Sequence, residues 1–244
     1  MNIIHLNHQD FIGDSNEVII RDYRLTHILK ILKPTIGQSL HVGILGGQCG
    51  NGIVVSMHPE AVVLRVSLTE PSPPRHTFDI ILALPRPKML RRIFRTVAEY
   101  GVNNLHLINS ARVEKSYWQS PLLKPDKIHD ALLAGMERSK DTIITNVHLH
   151  KRFRPFIEDQ LLSVCGSRNC WITDINAKEA AFALSSKPAV VMIGPEGGFV
   201  PFEIELAVSQ TAQPIHLGTR TLSVDTALTT VLAQSLPCTA SPNT

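Results

Sequence analysis

Hydrophobic and polar positions change rhythm at one point in the chain. Up to Glu70 the apolar residues come in short β-branched blocks, QSLHVGIL (38–45), GIVVSMH (52–58) and AVVLRVSL (61–68), with turn residues between them in GGQCGNG and HPEA. One stretch with a 3.6-residue period interrupts them. Leu25, Ile28, Leu29 and Leu32 share a face, which predicts a helix over about Asp22–Leu32. The segment EPSPPR (70–75) holds three prolines in four residues, which continue neither a helix nor an inner strand. Beyond it strands and helices alternate. The predicted strands are TFDIILALP (77–85), NLHLIN (104–109), NVHLH (146–150), CWITD (170–174), AVVMIG (189–194) and PIHLG (214–218). The predicted helices are MLRRIFRTVAEYG (89–101), DKIHDALLAGMERSK (126–140), FRPFIEDQLLS (153–163), AKEAAFAL (177–184), FEIELAVSQ (202–210) and VDTALTTVLAQSL (224–236). Alternation of this kind predicts a parallel α/β sheet covered on both faces, preceded by a small barrel-like β domain.

Composition narrows this only slightly. The 244 residues are 43% hydrophobic and 18% charged, which fits one large or two small globular domains and not a disordered chain. A net charge of +3 is mildly basic and permits a nucleic-acid partner without requiring one. Cys49, Cys165, Cys170 and Cys238 form no CxxC and stand at no zinc-finger spacing from histidine, so free thiols in a reducing compartment are expected. No HExxH occurs, and no metal site is expected. The start MNIIHLNHQDF lacks the pattern of a signal peptide, and no apolar run approaches the roughly 20 residues of a membrane helix. A cytoplasmic protein is the expectation.

Chemistry concentrates near the carboxyl end. In VVMIGPEGGFVPFEIE (190–205) an apolar strand ends in a turn of three glycines, a proline and one acid, and a helix follows. Ligands bind at the carboxyl ends of strands in open α/β sheets. Glycines there let backbone amides come close to a ligand. The turn is neither GxGxxG nor a phosphate P-loop, and by pattern alone it is equally an ordinary βα turn. A second corner, HLGTRTLSVDTALTTVLA (216–233), places the lone cation Arg220 between two threonines, with Ser223 or Asp225 as a helix cap. The two loops are candidates to flank one pocket. Lys88, Arg91, Arg92 and Arg95 fall at i, i+3, i+4, i+7 and form a basic stripe suited to phosphates, or else a solvated face. Arg152 lies in a second basic stretch, and Arg24 and Lys30 lie in a third, on the helix predicted in the first domain.

IGPEGGF (193–199) followed by LGTRTLSVDTA (217–227) resembles the paired C-terminal motifs of the RsmE-type 16S rRNA uridine-N3 methyltransferases. LALPRPKMLRRIFRTVAEYGV (82–102) and HILKILKPTIGQSLHV (27–42) are similar to that family's first strand and helix and its N-terminal signature. The resemblance implies a PUA-like β-barrel RNA-binding domain at 1–71, a SPOUT-type trefoil-knotted parallel-sheet methyltransferase domain at 76–237, a flexible tail at 238–244, and a homodimer. It implies S-adenosylmethionine as cofactor, held by Leu84, Ile193, Gly194, Glu196, Gly197, Gly198, Leu217, Gly218, Leu222 and Thr226. The implied substrate is a uridine of 16S rRNA in the small ribosomal subunit. Arg220 would then stabilise charge developing on the base, and Glu196 or Asp225 would accept the N3 proton. Arg24, Lys30, Lys88, Arg91, Arg92, Arg95 and Arg152 would grip the RNA. The chain departs from the family pattern at Thr219, Ser223, Asp225 and Met136–Lys140. Those departures keep two other readings open: a paralogue methylating another RNA, and a non-catalytic RNA- or ribosome-binding protein on the same fold.

Overall fold

The computed structural model describes residues 2–181 and 187–236. The chain divides into two compact units, Met1–Pro73 with Leu133–Ile144, and Pro74–Leu132 with Thr145–Thr244.

The first unit is built on a five-stranded sheet. Its elements are β1 (Ile4–Leu6), β2 (Glu17–Ile20), α1 (Tyr23–His27), β3 (Ser39–Ile44), β4 (Cys49–His58) and β5 (Ala61–Glu70), in the spatial order β1-β3-β4-β5-β2. β1 pairs parallel with β3, and the other pairs are antiparallel. The ladder between β4 and β5 shifts register at Cys49/Gly50 and Val54/Ser56, and such irregularities bend a sheet. Gly50 belongs at the first of them, because a Cβ there would lie 1.9 Å from the Ser67 carbonyl oxygen. Ile4, Leu6, Val18, Ile20, Leu25, Ile28, Val42, Val54, Val62 and Leu64 form the core. The helix expected over Asp22–Leu32 is α1 followed by a π-helical turn at Ile28–Leu32. It stops at Lys33, which takes a left-handed φ of 45° immediately before Pro34.

Arg24 corrects one expectation. Only 3% of it is exposed, and its guanidinium donates to both carboxylate oxygens of Asp10 at 2.7 Å, to Asp22 at 2.7 and 2.8 Å, and to the His5 carbonyl at 2.5 Å. Burial works against the charge, but the two carboxylates prevail and hold the pKa above its ordinary value. Arg24 ties β1, the Asp10 turn and α1 together and has no face to offer a phosphate.

The second unit carries β6 (Phe78–Ala83), α2 (Pro87–Glu99), β7 (Asn104–Ile108), α3 (Pro125–Ser139), β8 (Asn146–His150), α4 (Phe153–Asp159), α5 (Leu161–Cys165), β9 (Asn169–Thr173), β10 (Glu179–Ala180), β11 (Ala189–Ile193), α6 (Pro201–Gln210), β12 (Ala212–His216) and α7 (Val224–Leu232). Residues of α3 from Leu133 on are grouped with the first unit. The sheet order is β10-β12-β9-β11-β6-β7-β8, and every pair is parallel. β6 and β11 are buried at every position, as central strands covered on both faces must be. Three expectations shift. The helix expected over 153–163 breaks at Gln160 into α4 and α5. Glu179–Ala180 pairs with β12 as a strand where a helix was expected at 177–184, and 182–184 lie outside the described residues. β12 begins at Ala212, two residues before the expected PIHLG. The tail 238–244 also lies outside the described residues. No helix among the described residues is long and apolar enough to cross a membrane.

On β7 and β8 three imidazoles stack: His106 lies 4.5 Å from His148 and 5.3 Å from His150, ring centre to ring centre. Burial, and then the charges of His148 and His150, push the pKa of His106 down to about 4. Between that value and the ordinary 6.5 the unfolded chain binds the proton that the folded one refuses. Stability should therefore fall as the pH drops from 6.5 towards 4, by up to about 3 kcal/mol. His106→Leu should flatten that slope in urea unfolding followed across the window.

Candidate active site

Two corners and one strand end wall a single cavity of about 660 Å³ in the second unit. The first corner follows β11. Gly194 leaves the strand, the Gly198 amide donates to the Pro195 carbonyl at 2.7 Å, and Gly198 takes a left-handed φ of 72°. Gly194 is required by close approach: a Cβ there would lie 3.0 Å from the Phe199 nitrogen and 3.1 Å from the Gly198 Cα. The second corner follows β12. Gly218 has φ 108°, and its amide donates to His216 Nδ1 at 3.1 Å. The end of β9 adds Thr173, Asp174 and Asn176. Strand order explains the meeting, because β9 lies between β11 and β12 and all three end on the same edge.

Of the residues expected to hold a cofactor, Ile193, Gly194, Glu196, Gly197, Gly198, Leu217, Gly218 and Leu222 line this cavity. Leu84 is fully buried, and Thr226 shares a hydrogen bond with Ser223; neither is part of the lining. The three residues expected to be catalytic separate. Arg220 is exposed and lines the cavity. Glu196 lines it too and meets Arg86 at 3.5 Å. Asp225 lies outside the lining and is engaged, accepting from the Ser223 hydroxyl at 2.6 Å and from Arg92 at 2.9 Å. The Ser223 hydroxyl, opposed by some burial and joined by Arg92, holds the Asp225 carboxyl below the usual carboxylate range. A carboxylate held in that way is a poor base. Ser223 makes no side-chain cap on α7, because its hydroxyl is spent on Asp225.

The basic stripe on α2 also divides. Lys88 and Arg91 are exposed, Arg92 is tied to Asp225, and Arg95 is half-buried with its Nε out of reach of any partner. Lys30 and Arg152 are exposed. Among the described residues no group of three or more His, Cys, Asp or Glu side chains is placed to hold a metal ion.

Sequence reasoning missed Arg86, Arg112, Asp174 and Glu203. Arg112 lines the cavity and donates to the Gly197 carbonyl. Glu203, 3% exposed, accepts from the Ala111 amide at 2.7 Å, the Ser110 hydroxyl at 3.0 Å and the Val200 amide at 3.0 Å. The available signal was position: Arg112 stands a few residues past the carboxyl end of β7, as Arg220 does past β12.

A parallel sheet with a glycine-lined cavity at the carboxyl ends of its strands defines an α/β protein with its ligand site at the strand ends. A structure of ribosomal RNA small subunit methyltransferase E from Neisseria gonorrhoeae bound to S-adenosylmethionine superposes with a TM-score of 0.73, covering 96% of this chain and 95% of that one at 16% identity, a likeness of fold. The chain belongs to the RNA methyltransferase domain family, whose model matches residues 72–235. It is similar to proteins named ribosomal RNA small subunit methyltransferase E from Treponema pallidum and E 1 from Borreliella burgdorferi. The first is 26% identical over 93% of this chain and 87% of the relative, the second 23% identical over 93% and 94%.

Proposed function

We propose that this chain transfers a methyl group from S-adenosylmethionine to N3 of a uridine in 16S rRNA of the small ribosomal subunit. The observation that carries the reading is the meeting of the Gly194–Gly198 and Leu217–Leu222 corners around one cavity in a member of an RNA methyltransferase family. The residues present fit the cofactor. Ile193, Leu217, Leu222 and Ala227 offer apolar wall for an adenine, while the carboxylates of Asp174 and Glu205 offer charge for an ammonium and a sulfonium. A Cβ at Gly194 would push the corner's own backbone apart. Bound there, the cofactor supplies an activated methyl group.

The chain's own work is alignment and charge. Arg220 faces the negative charge that the base acquires as its N3 proton leaves. Glu196, one of the carboxylates on the cavity wall, takes that proton, with Arg86 beside it. Asp225 instead anchors the start of α7 to α2 through Arg92. In-line transfer from a sulfonium needs no Lewis acid, so the reading calls on no metal.

On this reading the segment 1–71 is a PUA-like RNA-binding domain, 76–237 is the methyltransferase domain, and the enzyme works as a homodimer in the cytoplasm. The exposed Lys30, Lys88, Arg91 and Arg152 contact phosphates. Removing Lys88 and Arg91 together should lower the slope of log affinity against log salt by about 1.5 on structured RNA, whereas Arg92→Ala should barely change it. Filter binding from about 50 to about 300 mM salt is the check.

The deciding assay uses labelled cofactor and small subunits from cells lacking the modification. Label on N3 of uridine supports the reading. Firm cofactor binding with no label transferred would move the activity to another RNA, and absence of cofactor binding would leave a non-catalytic RNA-binding protein.

A further inference from the structure

We propose that Arg112 is a positioning residue for the donor corner, and that Glu203 latches it from behind. The inference rests on the methyl-donor reading of the cavity and adds the device that keeps the corner in shape before the donor arrives. The Gly197–Gly198 peptide is held at both of its polar ends. Its carbonyl accepts from Arg112 Nη1, and its amide donates to the Pro195 carbonyl at 2.7 Å. The same Arg112 nitrogen also reaches the Gly198 carbonyl at 3.5 Å. Arg112 in turn extends from a loop that cannot drift, because the neighbouring Ala111 amide and Ser110 hydroxyl both donate to the buried carboxylate of Glu203. That carboxylate also receives the Val200 amide, at the far end of the same corner. A carboxylate with three donors from two loops fixes those loops relative to each other, and a buried carboxylate stripped of such donors is costly.

Arg112 also explains Gly197. A Cβ at 197 would lie 2.9 Å from Arg112 Cδ, so the aliphatic stem of the arginine fills the space where a side chain would go. Gly197 takes no left-handed conformation, so the arginine, rather than the backbone angle, makes glycine necessary. A cavity wall built from two adjacent glycines would otherwise be among the most mobile parts of the chain. A corner ordered in advance spares the ligand the entropy of ordering it.

The geometry couples positions 112 and 197, and a double-mutant cycle reads that coupling. Arg112→Ala and Gly197→Ala should each weaken S-adenosylmethionine binding by about tenfold in calorimetry. The double variant should be weakened by about the same tenfold rather than a hundredfold, because removing the arginine frees the space that the methyl added at position 197 needs. Arg112→Ala should raise the donor KM by a larger factor than it lowers kcat, and Arg112→Lys should restore part of the loss. Glu203→Gln, which keeps shape but loses one acceptor oxygen, should speed hydrogen exchange at the Gly198 amide about tenfold with no ligand present, as should Arg112→Ala.

Additive effects at 112 and 197, or unchanged exchange at Gly198, would overturn the proposal. The exchange measurement needs no donor. If the wild-type chain binds no S-adenosylmethionine, the functional reading fails while exchange still decides the latch.

Discussion

Gly194→Ala is expected to abolish measurable binding of S-adenosylmethionine while leaving a folded protein. The new methyl would stand 3.0 Å from the Phe199 nitrogen, 3.1 Å from the Gly198 Cα and 3.2 Å from the Gly198 carbonyl carbon. All three are backbone atoms, so no rotamer change relieves the contact. The corner must open by several tenths of an ångström, at a cost of about 1–3 kcal/mol. The opening happens in the wall that the donor is to touch, so affinity should fall by at least about a hundredfold, far more than the few degrees lost in thermal unfolding. Calorimetry beside a melting curve separates the two effects. An unchanged dissociation constant would mean that the corner is not the donor site.

Arg220→Ala should do the opposite, cutting turnover by about 10²–10³ while the donor affinity moves less than threefold. Arg220 lines the cavity, is exposed, and stands on the loop between Gly218 and α7. On the proposed mechanism its charge would serve the acceptor base as it becomes anionic, a state that exists only on the way to product. Single-turnover rates with saturating donor are the measurement. A rate within twofold of wild type would remove Arg220 from the chemistry.

Both predictions rest on parts of the site that were legible in the sequence. β11 is a five-residue apolar run bounded by glycine, and β6 is a six-residue strand, apolar but for Asp79, bounded by proline two residues on; central parallel strands leave such marks because both their faces are buried. The glycines past the strand ends are equally visible, since turns must name their residues. What stayed hidden depends on distance along the chain. β1 has three residues, all buried, and so neither the length nor the alternation of a recognisable strand. Arg24 reads like any surface cation on a helix until the fold brings Asp10, fourteen residues away, against it. Arg112 is marked locally only by its place past the end of β7; its partner Gly197 is 85 residues further on. Asp225 reads like a free acid because nothing near it in the sequence announces Arg92.

The sheet's order carries a consequence for how the molecule is made. Among the described residues β9 finds its strand partners only in β11 and β12, and β6 joins β9 only through β11. A chain emerging from the ribosome therefore has β6, β7 and β8 in hand with β6 bare on the side that β11 will take, and β9 with nowhere to attach. The slot between them, two strand spacings or about 10 Å wide, stays open until residues 189–193 arrive. Bare strand flanks invite association with other chains, so the nascent protein is most exposed to aggregation just before its keystone strand is translated. Closure joins residues far apart in the chain, which makes folding slow by topology alone.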